Sequence, residues 1–179
     1  FDFKNWYNDA PGYNKALEKA KRLKQPFIIY FHTDWCGWCK KLNIEYLETN
    51  VMKRTLADYI KVQINPDHGL PEKRISNLFG VTGYPSFFIG LPINNEKPFR
   101  VSPFLKHKNL APDDFSRQIQ EALVSIYNQH AYNICQQKNY DYALYIISKA
   151  LNVSQSNAYS FYIKGHINYC IGHTEKNKQ

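Results

Sequence analysis

Two cysteines separated by two residues, in Trp35-Cys36-Gly37-Trp38-Cys39-Lys40, follow closely on an apolar run, Phe27-Ile28-Ile29-Tyr30-Phe31. The run is short, aromatic and β-branched, and it does not alternate with polar residues. That pattern predicts a central strand covered on both faces. A helix is predicted from about Cys36 to Glu48, which puts both cysteines on its first turn with their sulfurs within bonding reach. A chain with this junction has to bury a strand from two sides and present a thiol pair where the next helix begins.

The neighbouring segments supply the cover. Asp9-Ala10-Pro11-Gly12 punctuates the chain, and Tyr13 to Lys24 follows with apolar residues at 13, 16, 17, 20 and 23, the spacing of one helix face. Lys19, Lys21, Arg22 and Lys24 read as the solvated face of that helix. Pro26 stops it. Val51 to Ala57 reads as a further helical stretch, and Tyr59 to Ile64 alternates as a strand does. Strand, helix, strand implies a right-handed parallel crossover. Glu72 to Phe79 reads as a short helix ended by Gly80, and Pro85 opens a strand over Ser86 to Gly90, where its missing donor is tolerated. Asn94 to Lys97 is read as a turn, with Phe99 to Val101 pairing back. Pro112-Asp113-Asp114 has proline and acids in the first turn of a helix. From there on only helices are predicted, with a stiff junction near residue 123.

The chain has 179 residues, enough for one domain of the usual ~100–150 residues and a small second module. Hydrophobic residues make up 44% and aromatics 16%, which excludes a disordered or low-complexity protein. No apolar stretch approaches the ~20 residues of a transmembrane helix. The net charge of +8 is spread along the chain, so it reads as solvated surface, and no nucleic-acid partner is assigned.

The helix start offers unpaired N–H groups and positive potential, both of which stabilise a thiolate. Cys36 is therefore read as the nucleophile at the exposed end and Cys39, one turn inside, as the buried resolving thiol. Such a pair cycles between dithiol and disulfide through a mixed disulfide with a substrate. Two other readings stay open. His32, four residues ahead of Cys36, makes a third possible ligand of a zinc half-site, although no second ligand pair at matching spacing is present. A purely structural disulfide closing so small a loop would stabilise little. Lys40 stands where covalent haem attachment needs histidine.

With Gly83-Tyr84-Pro85 ahead of a later strand, the Trp-Cys-Gly-Trp-Cys-Lys junction resembles the thioredoxin family over about residues 10 to 123. The resemblance implies an α/β, thioredoxin-like three-layer fold. It implies a cis peptide bond at Pro85, lying against the cysteines, and substrate pairing with the backbone of Tyr84. Trp35 would shield the site, and Gly37 and Trp38 would complete the substrate surface. Two departures stand out. Tyr30 occupies the position, six before the first cysteine, where typical thioredoxins bury an acid as proton relay, so proton transfer has to use water or another group. Gly-Trp between the cysteines is similar to the subgroup containing the C-terminal domains of bacterial membrane thiol-reducing transporters and related secreted proteins. That likeness implies a periplasmic or secreted protein. The chain begins at Phe1 without methionine, as expected if a signal peptide had been removed or the chain trimmed.

Residues 124 to 179 fit a 34-residue helix–turn–helix period. Ala131 with Gly165, and Tyr127 with Phe161, take equivalent places one period apart. Ala143 and Ala150 follow on a second helix after Lys138-Asn139-Tyr140. This resembles a tetratricopeptide repeat and half of another, although Gln155 and Ser156 stand where a proline is usual. A generic helical hairpin is the alternative, and in either case the tail is expected to dock on the α/β domain. Cys135 and Cys170 fall on helices that neighbouring repeats pack side by side, leaving a disulfide and two buried thiols both open.

The sequence is thus read as a thioredoxin-like domain over residues 1–123 with a helical tetratricopeptide-like extension over 124–179. The expected activity is thiol–disulfide exchange with protein substrates through Cys36 and Cys39, served by an upstream redox partner. No metal site and no dissociable cofactor are expected, the redox-active disulfide taking that place. A protein partner on the helical tail and no membrane span complete the reading. The rival is a redox-sensing binding module that uses its helical tail, with a zinc module behind it.

Overall fold

Every residue of Phe27–Phe31 (β2) is buried, as its unbroken apolar run demands. In the computed structural model, which describes residues 3–92 and 98–176, this strand lies in the middle of a five-stranded sheet. Ile60–Ile64 (β3) runs parallel on one side of it, with Ile29 opposite Val62 and Phe31 opposite Ile64. Ser86–Gly90 (β4) runs antiparallel on the other side, with Tyr30 opposite Phe87. Tyr7–Asn8 (β1) adds to the outer edge of β3, and Phe99–Val101 (β5) to the outer edge of β4. The order β1-β3-β2-β4-β5 is a mixed sheet whose parallel half needs a crossover helix.

Alternation along β2 then distributes the helices. Phe27, Ile29 and Phe31 pack with Ile60, Val62, Ile64 and Phe88 against Ala16 and Ala20 of Asp9–Leu23 (α1), and Ile75 of Leu70–Leu78 (α4) joins the same cluster. Tyr30 turns to the opposite face beside Phe87, whose ring meets Phe115 at 5.8 Å, and Phe115 in turn meets Tyr46 at 5.9 Å. That second face is covered by Gly37–Leu42 (α2), a π-helical turn at Asn43–Leu47 and the first turns of Pro112–Gln136 (α5). Asn50–Thr55 (α3) and a 3₁₀ turn at Pro66–His68 complete the layers. Fully burying each such side chain contributes ~1.5–3 kcal/mol.

Several boundaries differ from the sequence reading. The first helix begins at Asp9 instead of Tyr13, so the Pro11-Gly12 pair sits in its first turn, where proline's missing donor is harmless. Its start is held from afar: Ala10 N–H donates to Glu72 Oε1 at 3.0 Å, and the Asp9 carboxylate accepts from Asn65 N–H and faces His68. Gly12 is there for space, since a Cβ would lie 3.0 Å from the Tyr7 carbonyl carbon. The helix read as Cys36 to Glu48 widens at Asn43, whose carbonyl takes the N–H of Glu48 five residues on. Gly80 ends α4 at a φ of 62°. The turn read at Asn94 to Lys97 lies outside the described residues.

The chain divides into two units, Phe1–Ile119 and Gln120–Gln179, with the division inside α5. The second unit holds the rest of α5 with Tyr140–Val153 (α6) and Ala158–Lys176 (α7). Its core is Ala131, Ala143, Ile146, Ile147, Ala150, Ile163 and Ile167. One buried polar knot ties it together: Ser160 Oγ lies 2.8 Å from Asn128 Oδ1 and 2.9 Å from Asn157 Oδ1, the two acceptors sharing its one hydrogen. The expected period of 34 is uneven in burial. Ala131 and Tyr127 are buried, while Phe161 is 53% exposed and nothing lies within 4 Å of a Cβ placed on Gly165. Cys135 and Cys170 are free thiols. Burial, reinforced by the neighbouring Cys170, pushes the Cys135 thiol up to about 11. No helix among the described residues is long and apolar enough to cross a membrane.

Candidate active site

Cys36 is the last residue before α2, and its extended backbone turns the side chain back over the helix it precedes. Its Sγ accepts from Cys39 N–H at 3.0 Å, and its own N–H donates to the Thr33 carbonyl at 3.2 Å. Cys36 and Cys39 form a disulfide with their Cα atoms 5.2 Å apart. Cys39 is buried as expected, at 2% exposure, but Cys36 is 4% exposed and does not stand out at the surface. Its sulfur points into the first turn of its own helix, which the position of the residue in the sequence does not reveal.

The exposed part of the site is aromatic. Trp35 is 70% exposed and Trp38 53%. Trp35 is nevertheless held, its Nε1 donating to Asp67 Oδ2 at 2.8 Å and its ring meeting Tyr84 edge-on at 6.1 Å. Trp38 packs on Phe104 at 5.0 Å with the Lys41 ammonium 5.3 Å over its ring. Sequence reasoning misses Asp67 and Phe104. Asp67 sits in the 3₁₀ turn at Pro66–His68 and Phe104 follows β5, each tens of residues away, so no local pattern marks them. Gly37 is exposed, and a Cβ placed on it would meet nothing within 4 Å, which leaves open backbone between the two tryptophans.

The Tyr84–Pro85 peptide is cis, as the resemblance implies. Ser86 Oγ, next in the chain, donates to the Gly83 carbonyl and accepts from Arg100, which fixes the loop leading into β4. Trp35 and Tyr84 border an open groove of roughly 630 Å³ whose walls include Asp67, Leu70, Lys73 and Val81. Leu70 is 70% exposed there, so the groove offers apolar surface next to Trp35, the residue before Cys36.

Beneath the site, Tyr30 is wholly buried and donates to the Cys39 carbonyl at 3.4 Å. Burial raises its phenol far above the ordinary range, so it stays neutral and is no base. His32 stacks on Tyr30 at 5.2 Å and on Phe3 at 5.6 Å, and its Nε2 is engaged by Gln63 Oε1. Burial lowers its pKa. His32 Nε2 is thus turned to Gln63, and the two cysteines are bonded to each other. His68, 2.9 Å from Asp9 Oδ2, is raised instead, chiefly by that hydrogen bond.

Comparison with known proteins agrees with this geometry. Residues 5–92 match the family described as thioredoxin-like. A probable protein disulfide-isomerase A4 from Caenorhabditis elegans is 34% identical over 62 residues, which is 35% of this chain but spans only 10% of that protein. Among solved structures, the oxidoreductase DsbH superposes with a TM-score of 0.52 at 20% identity, covering 62% of this chain and 81% of that one. The C-terminal domain of Neisseria meningitidis DsbD in its reduced form gives 0.51 at 19%, covering 64% and 96%. A thioredoxin from Thermus thermophilus gives 0.51 at 19%, covering 65% and 86%. The first unit has a thioredoxin-like fold with its Cys-x-x-Cys pair joined as a disulfide.

Proposed function

We propose that this thioredoxin-like chain is a thiol–disulfide oxidoreductase acting on protein substrates, with Cys36 attacking and Cys39 resolving. The observation that carries the assignment is the Cys39 N–H placed 3.0 Å from Cys36 Sγ. When the pair is reduced, that donor stabilises negative charge on Cys36, while Cys39 lies one turn further into the helix.

In the reducing direction the Cys36 thiolate attacks one sulfur of a substrate disulfide. The substrate S–S bond breaks, and its second sulfur leaves as a thiolate that takes a proton from solvent. Cys39, once deprotonated, attacks Cys36 Sγ. The mixed disulfide breaks, the substrate's remaining sulfur leaves, and two electrons have passed from the Cys36/Cys39 dithiol to the substrate. The oxidising direction is the reverse. Neutral Tyr30 orients the Cys39 backbone and takes no proton, so the Cys39 proton leaves through water or another group. A substrate strand would pair with Tyr84 next to Pro85 and pass over Gly37 and Trp38 at the cysteines, with the groove that Trp35 and Tyr84 border taking the residues to one side.

Export to a periplasm or outside the cell belongs to the same proposal, supported by the Gly-Trp motif, as does an upstream redox partner. The tetratricopeptide-like reading of the second unit is supported by the full burial of Ala131, Ala143 and Ala150, and a protein partner there by the exposed Tyr159 and Tyr162. The decisive experiment is turnover of a protein disulfide with Cys36→Ser and Cys39→Ser variants. Cys36→Ser is expected to be inactive. Cys39→Ser is expected to accumulate mixed disulfides at Cys36, which would also identify the substrates. Stoichiometric oxidation without turnover would instead make the chain a redox sensor.

A further inference from the structure

The second unit contains a cluster that the exchange reaction does not use. Cys135, near the end of α5, faces His166 and Cys170, which stand four residues apart on one side of α7. The three ligand atoms, two sulfurs and an imidazole nitrogen, all lie within 4.8 Å of one another, and Cys170 Sγ is 3.7 Å from His166 Nε2. Among the described residues this is the one grouping of three such side chains.

We propose that Cys135, His166 and Cys170 form a binding site for a thiophilic divalent cation of the zinc class, with the fourth coordination position open to solvent or an added ligand. The dimensions suit it. Zinc lies about 2.3 Å from sulfur and about 2.0–2.1 Å from imidazole nitrogen, and tetrahedral angles then separate the ligand atoms by roughly 3.5–3.8 Å. The observed spacings need only a small contraction to reach that. Two thiolates and an imidazole match zinc in softness, and two thiolates balance its charge where Cys135 is 3% exposed.

The surroundings orient two of the ligands. The Tyr132 ring stacks on His166 at 5.8 Å, limiting how the imidazole turns. Thr174 Oγ1 donates to the Cys170 carbonyl at 2.8 Å and lies 3.3 Å from the Tyr140 hydroxyl, linking the last turns of α7 to the start of α6. His166 and Cys170 are only partly buried, which leaves a path for an ion to enter. The expectation of no metal, drawn from the sequence, rests on the ligands beside Cys36. This site lies in the other unit and joins residues 35 apart.

The test uses the full chain carrying Cys36→Ser and Cys39→Ser, so that no other thiol pair competes. The reduced protein is titrated anaerobically with Co²⁺, read by sulfur-to-cobalt charge-transfer absorption, and then with Zn²⁺. One ion per chain is expected, with the band bleached by Zn²⁺ and lost when Cys135→Ser or Cys170→Ser is added. His166→Ala should weaken binding about tenfold or more, equivalent to ~1.4 kcal/mol. Far-UV circular dichroism checks that each variant folds. A second readout needs no further variant: Zn²⁺ should protect Cys135 and Cys170 together from maleimide. The proposal is overturned if no band and no protection appear, if the band survives either cysteine substitution, or if excess Zn²⁺ fails to stop a Cys135–Cys170 disulfide from forming in air.

Discussion

The two cysteine pairs of this chain are built on opposite principles. Cys36 and Cys39 are brought together by local chain geometry, one helical turn apart at a strand–helix junction, and they are bonded. Cys135 and Cys170 are brought together by the packing of two helices, with a histidine between them in chemistry, and they are free. Environment then separates their reactivity. A backbone N–H meets Cys36 Sγ, favouring its thiolate once reduced, whereas burial holds Cys135 as a neutral thiol. The same residue type is thereby favoured as a thiolate in one unit and held as a neutral thiol in the other until something displaces its proton.

The largest expected effect tests that contrast directly. Alkylation of the reduced, metal-free chain at mildly acidic pH, followed by peptide mass spectrometry, should modify Cys36 first and Cys135 last. With burial pushing Cys135 up to about 11, its thiolate fraction at mildly acidic pH is far below that of a free thiol. Equal labelling of Cys36 and Cys135 would break the comparison.

Core truncation should destabilise both units. Phe31→Ala removes a wholly buried ring between β3 and β4 and is expected to cost about 3–5 kcal/mol, and Ile147→Ala in α6 about 2–5 kcal/mol. Denaturant unfolding measures both, and tryptophan fluorescence reports on the first unit alone, since Trp6, Trp35 and Trp38 all lie there. A Phe31→Ala change below ~1 kcal/mol would show that β2 is not the centre of that core. Smaller again, Ser160→Ala leaves Asn128 Oδ1 short of a buried donor and should cost about 1–3 kcal/mol by the same measurement. A neutral result would remove the polar knot from the account of the second unit.

The smallest effects are those of pH. His32 and His130 have lowered pKa values because burial disfavours their charged forms. Each is neutral in the folded state while the unfolded chain still binds a proton near 6.5, so stability should fall as pH drops below about 6.5 through their folded values. His68 behaves oppositely: the stabilisation from Asp9 is complete below about 6.5 and is lost as pH rises through its raised value. Histidine NMR titration should therefore place His68 above, and His32 and His130 below, the ordinary midpoint. His32 and His68 thus oppose each other within the first unit, while His130 acts in the same sense as His32 in the second. Any other order would undo the assignment of His32 to a buried stack and of His68 to an exposed acid pair.

The central strand at Phe27–Phe31, the following helix with its cysteine pair, the strand opened by Pro85 and the all-helical second unit were all legible in the order of the residues. Each of these depends on periodicity or on residues within one turn of each other, and such short-range patterns are carried by the chain itself. Folding added what depends on residues far apart. Glu72 and Asn65 fix the start of α1, Asp67 holds Trp35, Phe104 covers Trp38, and Tyr30 takes its place under Cys39. It also turned Cys36 inward and gathered Cys135, His166 and Cys170. The physical reason is common to all of them. A hydrogen bond or a ring contact needs only a few ångströms of separation in space, and packing brings together side chains that no spacing along the sequence relates.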